Sequence, residues 1–274
     1  MEFSIARQQF FQEVRQPDEH INLEKAALYM AQEARPDLDV DAYLTKLDAI
    51  ANAIQPHLPQ ESYPLRVVQL INHHLYEDLG FVGNETDYYD PRNSFLNDVI
   101  DRRTGIPITL SLLYLVIAKR LAFPMVGIGM PGHFLIRPDV EEMELFVDAF
   151  HGGEILFLQD CQNRLNQMYS QPVEMQPQFF EAVTNRQFLA RMLTNLKHIY
   201  LSRGEISACL SAIERILILF PDAPLELRDR GVIYFRTDRW IEARQDLERY
   251  LTLMPLAEDR EIVQNLLIQI ENSS

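Results

Sequence analysis

The sequence predicts an α+β protein: a helix-rich first domain carrying a small antiparallel sheet, then an all-α repeat region reaching the end of the chain. Three observations predict it. Apolar residues recur at helical spacing through the first 120 residues, short β-rich segments follow Pro124, and from about residue 180 a helical pattern repeats with a 34-residue period.

In the first part, INLEKAALYMAQEA places Leu23, Ala26, Ala27, Met30 and Ala34 at helical spacing, with Asn22 as N-cap. DLDVDAYLTKLDAIANAI follows, capped by Asp39, and PLRVVQLINHHLYEDLG forms a third helix stopped at Gly80. The segment FVGNETDYYDPRNS is rich in turn residues and reads as a loop. FLNDVIDRRTG is the next helix, with Ser94 as its expected N-cap; Asn93 and Asn97, four residues apart, are expected to share a helix face. Arg102 and Arg103 are expected to pair with Asp98 or Asp101. The apolar run Ile106–Ala118 is 13 residues long, too short for a membrane span of roughly 20. It reads as a helix buried on most sides, with Pro107 in its first turn, where the missing N–H costs nothing.

After Pro124, MVGIGM, HFLIR and ELFVDAF predict antiparallel strands near 125–130, 133–137 and 144–149, and HGGEILFLQDCQNRLNQMY predicts a return to helix. QPVEMQPQ is the best linker segment. The boundaries expected are 1–170, a linker at 171–179, and 180–274. In the last part Pro221 and Pro255, Tyr200 and Tyr234, Cys209 and Ala243, Ile213 and Leu247, and Leu193 and Leu227 are each 34 apart, the tetratricopeptide period. The small residues let paired helices cross closely, and the prolines end the second helix of each unit. Lys197 stands where the second unit has Gly231, so the first unit is degenerate; EDREIVQNLLIQIE reads as a capping helix. Tyr200 and Tyr234 are the candidate residues of a protein-binding repeat.

The formal charge is −15, with a pI near 4.9, which disfavours nucleic acid as a partner. Two cysteines cannot build a disulfide framework, and the first residues show no apolar signal segment, so a cytoplasmic protein is expected, without a membrane partner.

The order of a buried helix beginning RRTGIPITL, a strand led by PGHFLIR, and a strand FVDAF resembles the transglutaminase-like, papain-related core. In that family a cysteine at the helix N-terminus is activated by a histidine, which an aspartate orients. The resemblance places the histidine at His133 and the aspartate at Asp148. The family pattern Arg-x-Gly-x-Cys reads here Arg103-Thr-Gly-Ile-Pro107, so proline stands at the nucleophile position. Four longer strings, Asp87–Asn97, Arg103–Thr109, Gly129–Leu135 and Asp148–Gly153, resemble the bacterial "regulator of sirC expression" proteins, which join such a domain to tetratricopeptide repeats. Ala149 departs from their Pro-Phe pair.

The resemblance implies a cleft with a remnant His133–Asp148 pair, lined by Asn93, Ser94, Asn97, Pro107 and Thr109. Tyr88 and Tyr89 are candidates for its wall. Thr109 lies two residues beyond Pro107, its side chain about 200° around the helix, and reads as a hydroxyl bonded to a backbone carbonyl. His133, Asp148 and His151 are of metal-ligand type but lack tight ligand spacing, so no metal and no cofactor is expected. The reading that follows is a non-catalytic binding or regulatory protein, its repeat taking a protein or peptide. The alternative is a hydrolase or acyl transferase with a changed nucleophile, using His133 as base and Asp148 to orient it.

Overall fold

The computed structural model describes residues 4–59, 63–140, 144–170, 173–174 and 176–273. The acidic turn at 141–143 and linker residues 171, 172 and 175 lie outside the described residues. The chain forms two compact units, Met1–Leu189 and Ala190–Ser274.

In the first unit, α1 (Ile5–Val14), α2 (Leu23–Ala34), α3 (Val40–Ile54) and α4 (Pro64–Asn72) follow one another. The caps expected of Asn22 and Asp39 form: their side-chain oxygens accept from the Lys25 and Ala42 amides at 3.0 and 3.1 Å. The third predicted helix changes pitch. After α4 it widens into a π-helical turn, His73–Asp78, before Gly80 ends it at positive φ.

A short strand, β1 (Val82–Gly83), pairs in parallel with β2 (Thr104–Gly105). Between them lies α5 (Leu96–Arg102), and after them α6 (Pro107–Arg120). Every residue from Pro107 to Ala118 except Leu115 is buried, because sequence that is apolar all round must be covered all round. The strands β3 (Met125–Ile128), β4 (Leu135–Pro138), β5 (Phe146–Asp148) and β6 (Glu154–Leu156) form an antiparallel meander in that order. The strands are shorter than the sequence predicts, and β6 falls where helix is expected. Gly152 and Gly153 both take positive φ and reverse the chain, so Glu154 pairs with Asp148 and Leu156 with Phe146. Helix α7 (Leu158–Tyr169) begins only then.

The division between the units lies beyond the 171–179 segment. The Val183 amide donates to the Gly127 carbonyl at 2.9 Å, Ala182 bridges to Ile128, and the Phe180 ring meets Phe146 at 5.2 Å. These contacts bind residues 180–183 to the sheet. The division instead falls inside α8 (Asn185–Ser202).

The second unit continues with α9 (Ile206–Leu219), α10 (Pro224–Arg236), α11 (Trp240–Leu253) and the terminal α12 (Arg260–Ser273). Its core gathers the repeat-matched residues Cys209, Ala243, Ile213, Leu247, Leu227 and Tyr234. Gly204 and Asp238, which match across the two turns, both take positive φ. A Cβ on Gly231 would lie 2.8 Å from the Leu247 side chain, which is why this position is small. Lys197, its counterpart, is buried and ion-paired to Glu226 and Asp229 at 2.6 and 3.1 Å. Among the described residues no helix is long and apolar enough to cross a membrane.

Candidate functional site

Asp148 ends β5 with its side chain completely buried, and five donors converge on it. Its Oδ1 accepts from the Phe150 and His151 amides at 3.1 and 3.3 Å. Its Oδ2 meets His133 Nε2 and His151 Nδ1, each at 2.8 Å, and a guanidinium NH of Arg164. Burial alone would raise the carboxyl pKa. The hydrogen bonds and charges of His133 and His151 outweigh burial and hold Asp148 well below the usual carboxylate range. A charged Asp148 makes both imidazole nitrogens donors toward it. Any proton exchange between His133 and a bound group would therefore run through Nδ1.

The turn after Asp148 ties this cluster to the rest of the unit. Tyr76 donates to the Ala149 carbonyl at 3.0 Å, and Asn72 donates to the Gly153 carbonyl at 2.6 Å while accepting from Tyr114 at 3.0 Å. Burial pushes the Tyr76 and Tyr114 hydroxyls up, so both remain neutral donors. Rings run outward from the cluster: His133 to His151 at 5.9 Å, His151 to Phe150 at 5.1 Å, Phe150 to Tyr88 at 6.1 Å, and Tyr88 to the exposed Tyr89 at 5.3 Å. The tyrosine loop thus reaches the cluster through Phe150.

Arg164 is a site residue that the sequence does not mark. It extends from α7, and its other NH contacts Glu154. Cys161, Arg164, Leu165 and Met168 recur at helical spacing on α7. Cys161 and Leu165 are buried, which turns Arg164 and Met168 to the same side. A Cβ on Gly132, beside His133, would strike Met168. The 161/165 stripe is the signal that could have found it.

The residues expected to line a cleft are placed differently. Asp90 caps a 3₁₀ turn, Pro91–Ser94, and α5 starts only after Phe95, so Ser94 is not its N-cap and Asn93 does not share its face with Asn97. Asn93 is fully buried. Its amide donates to the Asp87 carbonyl at 2.7 Å and accepts from Asn84 and Arg102 at 3.1 and 3.3 Å, so it fastens the loop together. Ser94 is buried and its hydroxyl has no partner among the described residues. Asn97, also buried, borders a separate hollow beside Arg35 and Tyr43. The Thr109 hydroxyl donates to the Asn93 carbonyl at 2.6 Å and accepts from the Ile106 amide at 3.1 Å. It fixes the loop to the start of α6. Arg102 pairs with Asp90 at 3.2 Å, whereas Asp98 takes Arg35 and Asp101 takes Lys46.

Pro107 is the buried first residue of α6, a helix that packs against β4 and the turn after Asp148. It has neither proton nor lone pair for attack. Of the two cysteines, Cys209 belongs to the second unit and Cys161 is buried near the cluster, where burial raises its thiol to about 11. At neutral pH that thiol is protonated and shielded. Iodoacetamide should alkylate Cys161 in the folded protein at least ~100-fold more slowly than a free peptide cysteine, as followed by mass spectrometry. Rapid alkylation would show an activated thiol.

His133, Asp148 and His151, which sequence spacing does not suggest as a set, bring three ligand-type atoms within 4.8 Å of one another. The Arg164 guanidinium against the same Asp148 oxygen sets a positive charge where a cation would have to bind. In the second unit Tyr234 is buried between Arg230 and Arg239, and Tyr200 packs against the core. Both serve the repeat's interior.

Comparison with known proteins agrees with this architecture. Residues 41–194 match the transglutaminase-like superfamily and residues 196–268 match the tetratricopeptide repeat. The class is thus a transglutaminase-like domain joined to a tetratricopeptide region. A UPF0162 protein of Xylella fastidiosa is 34% identical over 259 residues, covering 93% of this chain and 92% of its own. The chain belongs to the UPF0162 family. F-box only protein 21 of Homo sapiens is 28% identical over 262 residues, spanning 84% of this chain and 41% of that protein. A crystal structure of menin superposes with a TM-score of 0.43 at 12% identity, over 97% of this chain and 74% of that one, too slight a likeness to carry a property across.

Proposed function

We propose that this protein is a non-catalytic binding and regulatory protein of the cytoplasm, related to the "regulator of sirC expression" group. In this reading the transglutaminase-like unit retains its histidine and aspartate as a structural and ligand-contacting cluster, and the tetratricopeptide unit docks a partner protein. The observation that carries it is Pro107 at the start of α6, with the neighbouring Thr109 hydroxyl engaged and the Cys161 thiol buried. The Thr109 hydroxyl is spent on backbone, and burial keeps the Cys161 thiol protonated.

A second reading has one observation in its favour. His133 and Asp148 hydrogen-bond at 2.8 Å, as a base and its orienting carboxylate would. In that reading the protein is a hydrolase or acyl transferase using water or a hydroxyl. Arg164 weighs against it, since its guanidinium shares the oxygen that would stabilise a charged imidazole.

Affinity capture from lysate, comparing the full chain with a chain ending at Leu189, tests the docking role. Partners held by the full chain should be absent from the shorter one. Equal recovery from both would remove the repeat as the docking surface.

A further inference from the structure

The second unit contains a cavity of about 550 Å³ walled by α8, α9, α10 and α12. Leu201, Ile206 and Ile262 are exposed at this wall, and Val232 is half-buried in it. Uncovered apolar side chains from several packed helices around one cavity are what a docking groove presents to a partner's apolar side chains.

Its charges select among partners. The chain as a whole carries −15, yet residues 190–274 hold 11 Lys and Arg against 13 Asp and Glu, so the acidic excess belongs to the first unit. The cavity wall itself has Lys197, Arg228 and Arg236 against Asp229 and Asp259. Lys197 is neutralised by Glu226 and Asp229, and Arg228 by Asp229 and Asp259. Arg236 is exposed at the wall, and among the described residues its guanidinium has no ion pair or hydrogen bond. A guanidinium beside uncovered apolar side chains fits a carboxylate flanked by apolar residues.

We infer that this cavity docks an acidic amphipathic segment of a partner protein, its apolar side chains on Leu201, Ile206 and Ile262 and a carboxylate on Arg236. This inference rests on the reading of the repeat as a docking unit and specifies the partner's chemistry.

The test is a selection of random peptides displayed on phage against the immobilised full chain, with enriched peptides then measured on Arg236→Glu and Ile262→Asp variants. Both positions are exposed, and unchanged circular dichroism melts establish that the variants fold. Enriched sequences should combine Leu, Ile or Phe with Asp or Glu, and each variant should weaken them by at least ~10-fold. No enrichment, enriched sequences without acids, or undiminished binding to both variants would overturn the inference. If truncation at Leu189 abolishes partner capture but both variants bind as well as the native chain, the cavity and the acidic-segment assignment fail while the docking role of the second unit stands.

Discussion

Replacing Asp148 with Ala destabilises the first unit by about 3–5 kcal/mol, the range for removing one partner from a buried charged network. The carboxylate is completely buried and receives five donors, so its loss leaves Arg164, His133, His151 and two backbone amides facing each other without their acceptor. Urea unfolding followed by far-ultraviolet circular dichroism measures it. A loss below about 1 kcal/mol would mean the cluster is an exposed-type ion pair of little consequence. Asp148→Asn adds a pH signature. The folded carboxyl titrates below its ordinary value of 3.8, so its contribution is fully present above the unfolded pKa and is lost as pH falls toward the lower folded value. The native protein therefore loses stability on acidification below about pH 4 more steeply than the Asn variant. Parallel pH profiles would refute this assignment of charge.

Gly153→Ala is the other large effect, at about 2–4 kcal/mol. Gly153 sits at φ +74°, where an alanine is strained, and an added Cβ would lie 2.2 Å from the Asn72 side-chain oxygen. Asn72 cannot retreat freely, since it bonds both the Gly153 carbonyl and Tyr114. Gly152→Ala is the internal control. Its φ is also positive, at +64°, but nothing among the described residues lies within 4 Å of where its Cβ would stand, so it suffers backbone strain alone, about 1–2 kcal/mol. Thermal melts of the two variants should differ, with Gly153→Ala the lower. Equal melting temperatures would mean that Asn72 yields to the methyl group.

The helices of this protein are legible in its sequence because their signals are local. Asn22 and Asp39 cap where an Asx residue precedes an apolar stripe, and the repeat of Cys209 with Ala243 and of Ile213 with Leu247 sets helix crossings that the core then shows. The His133–Asp148 contact is legible only through the resemblance, because their pairing depends on the sheet register. What the sequence hides depends on conformation or distance. Gly152-Gly153 is itself a turn signal, but the apolar spacing of EILFLQDCQNRL after it reads as helix, and β6 is hidden there. Ser94 looks like a cap, but Asp90-Pro91 closes a turn one step earlier and moves the helix start to Leu96. Arg164 carries no mark of its target, since its partner carboxylate is brought to it by the sheet.

The functional reading stands on Pro107 at the first position of α6, with His133 and Asp148 hydrogen-bonded to each other. The direct measurement treats the native chain and Pro107→Cys side by side with an acyl donor, followed by intact mass and by glutamine–amine acyl transfer. The account predicts no covalent adduct and no transfer by the native chain, with an adduct confined to position 107 in the variant. Stoichiometric acylation of the native chain, at Cys161 or at any hydroxyl, in a reaction abolished by His133→Ala, would contradict it.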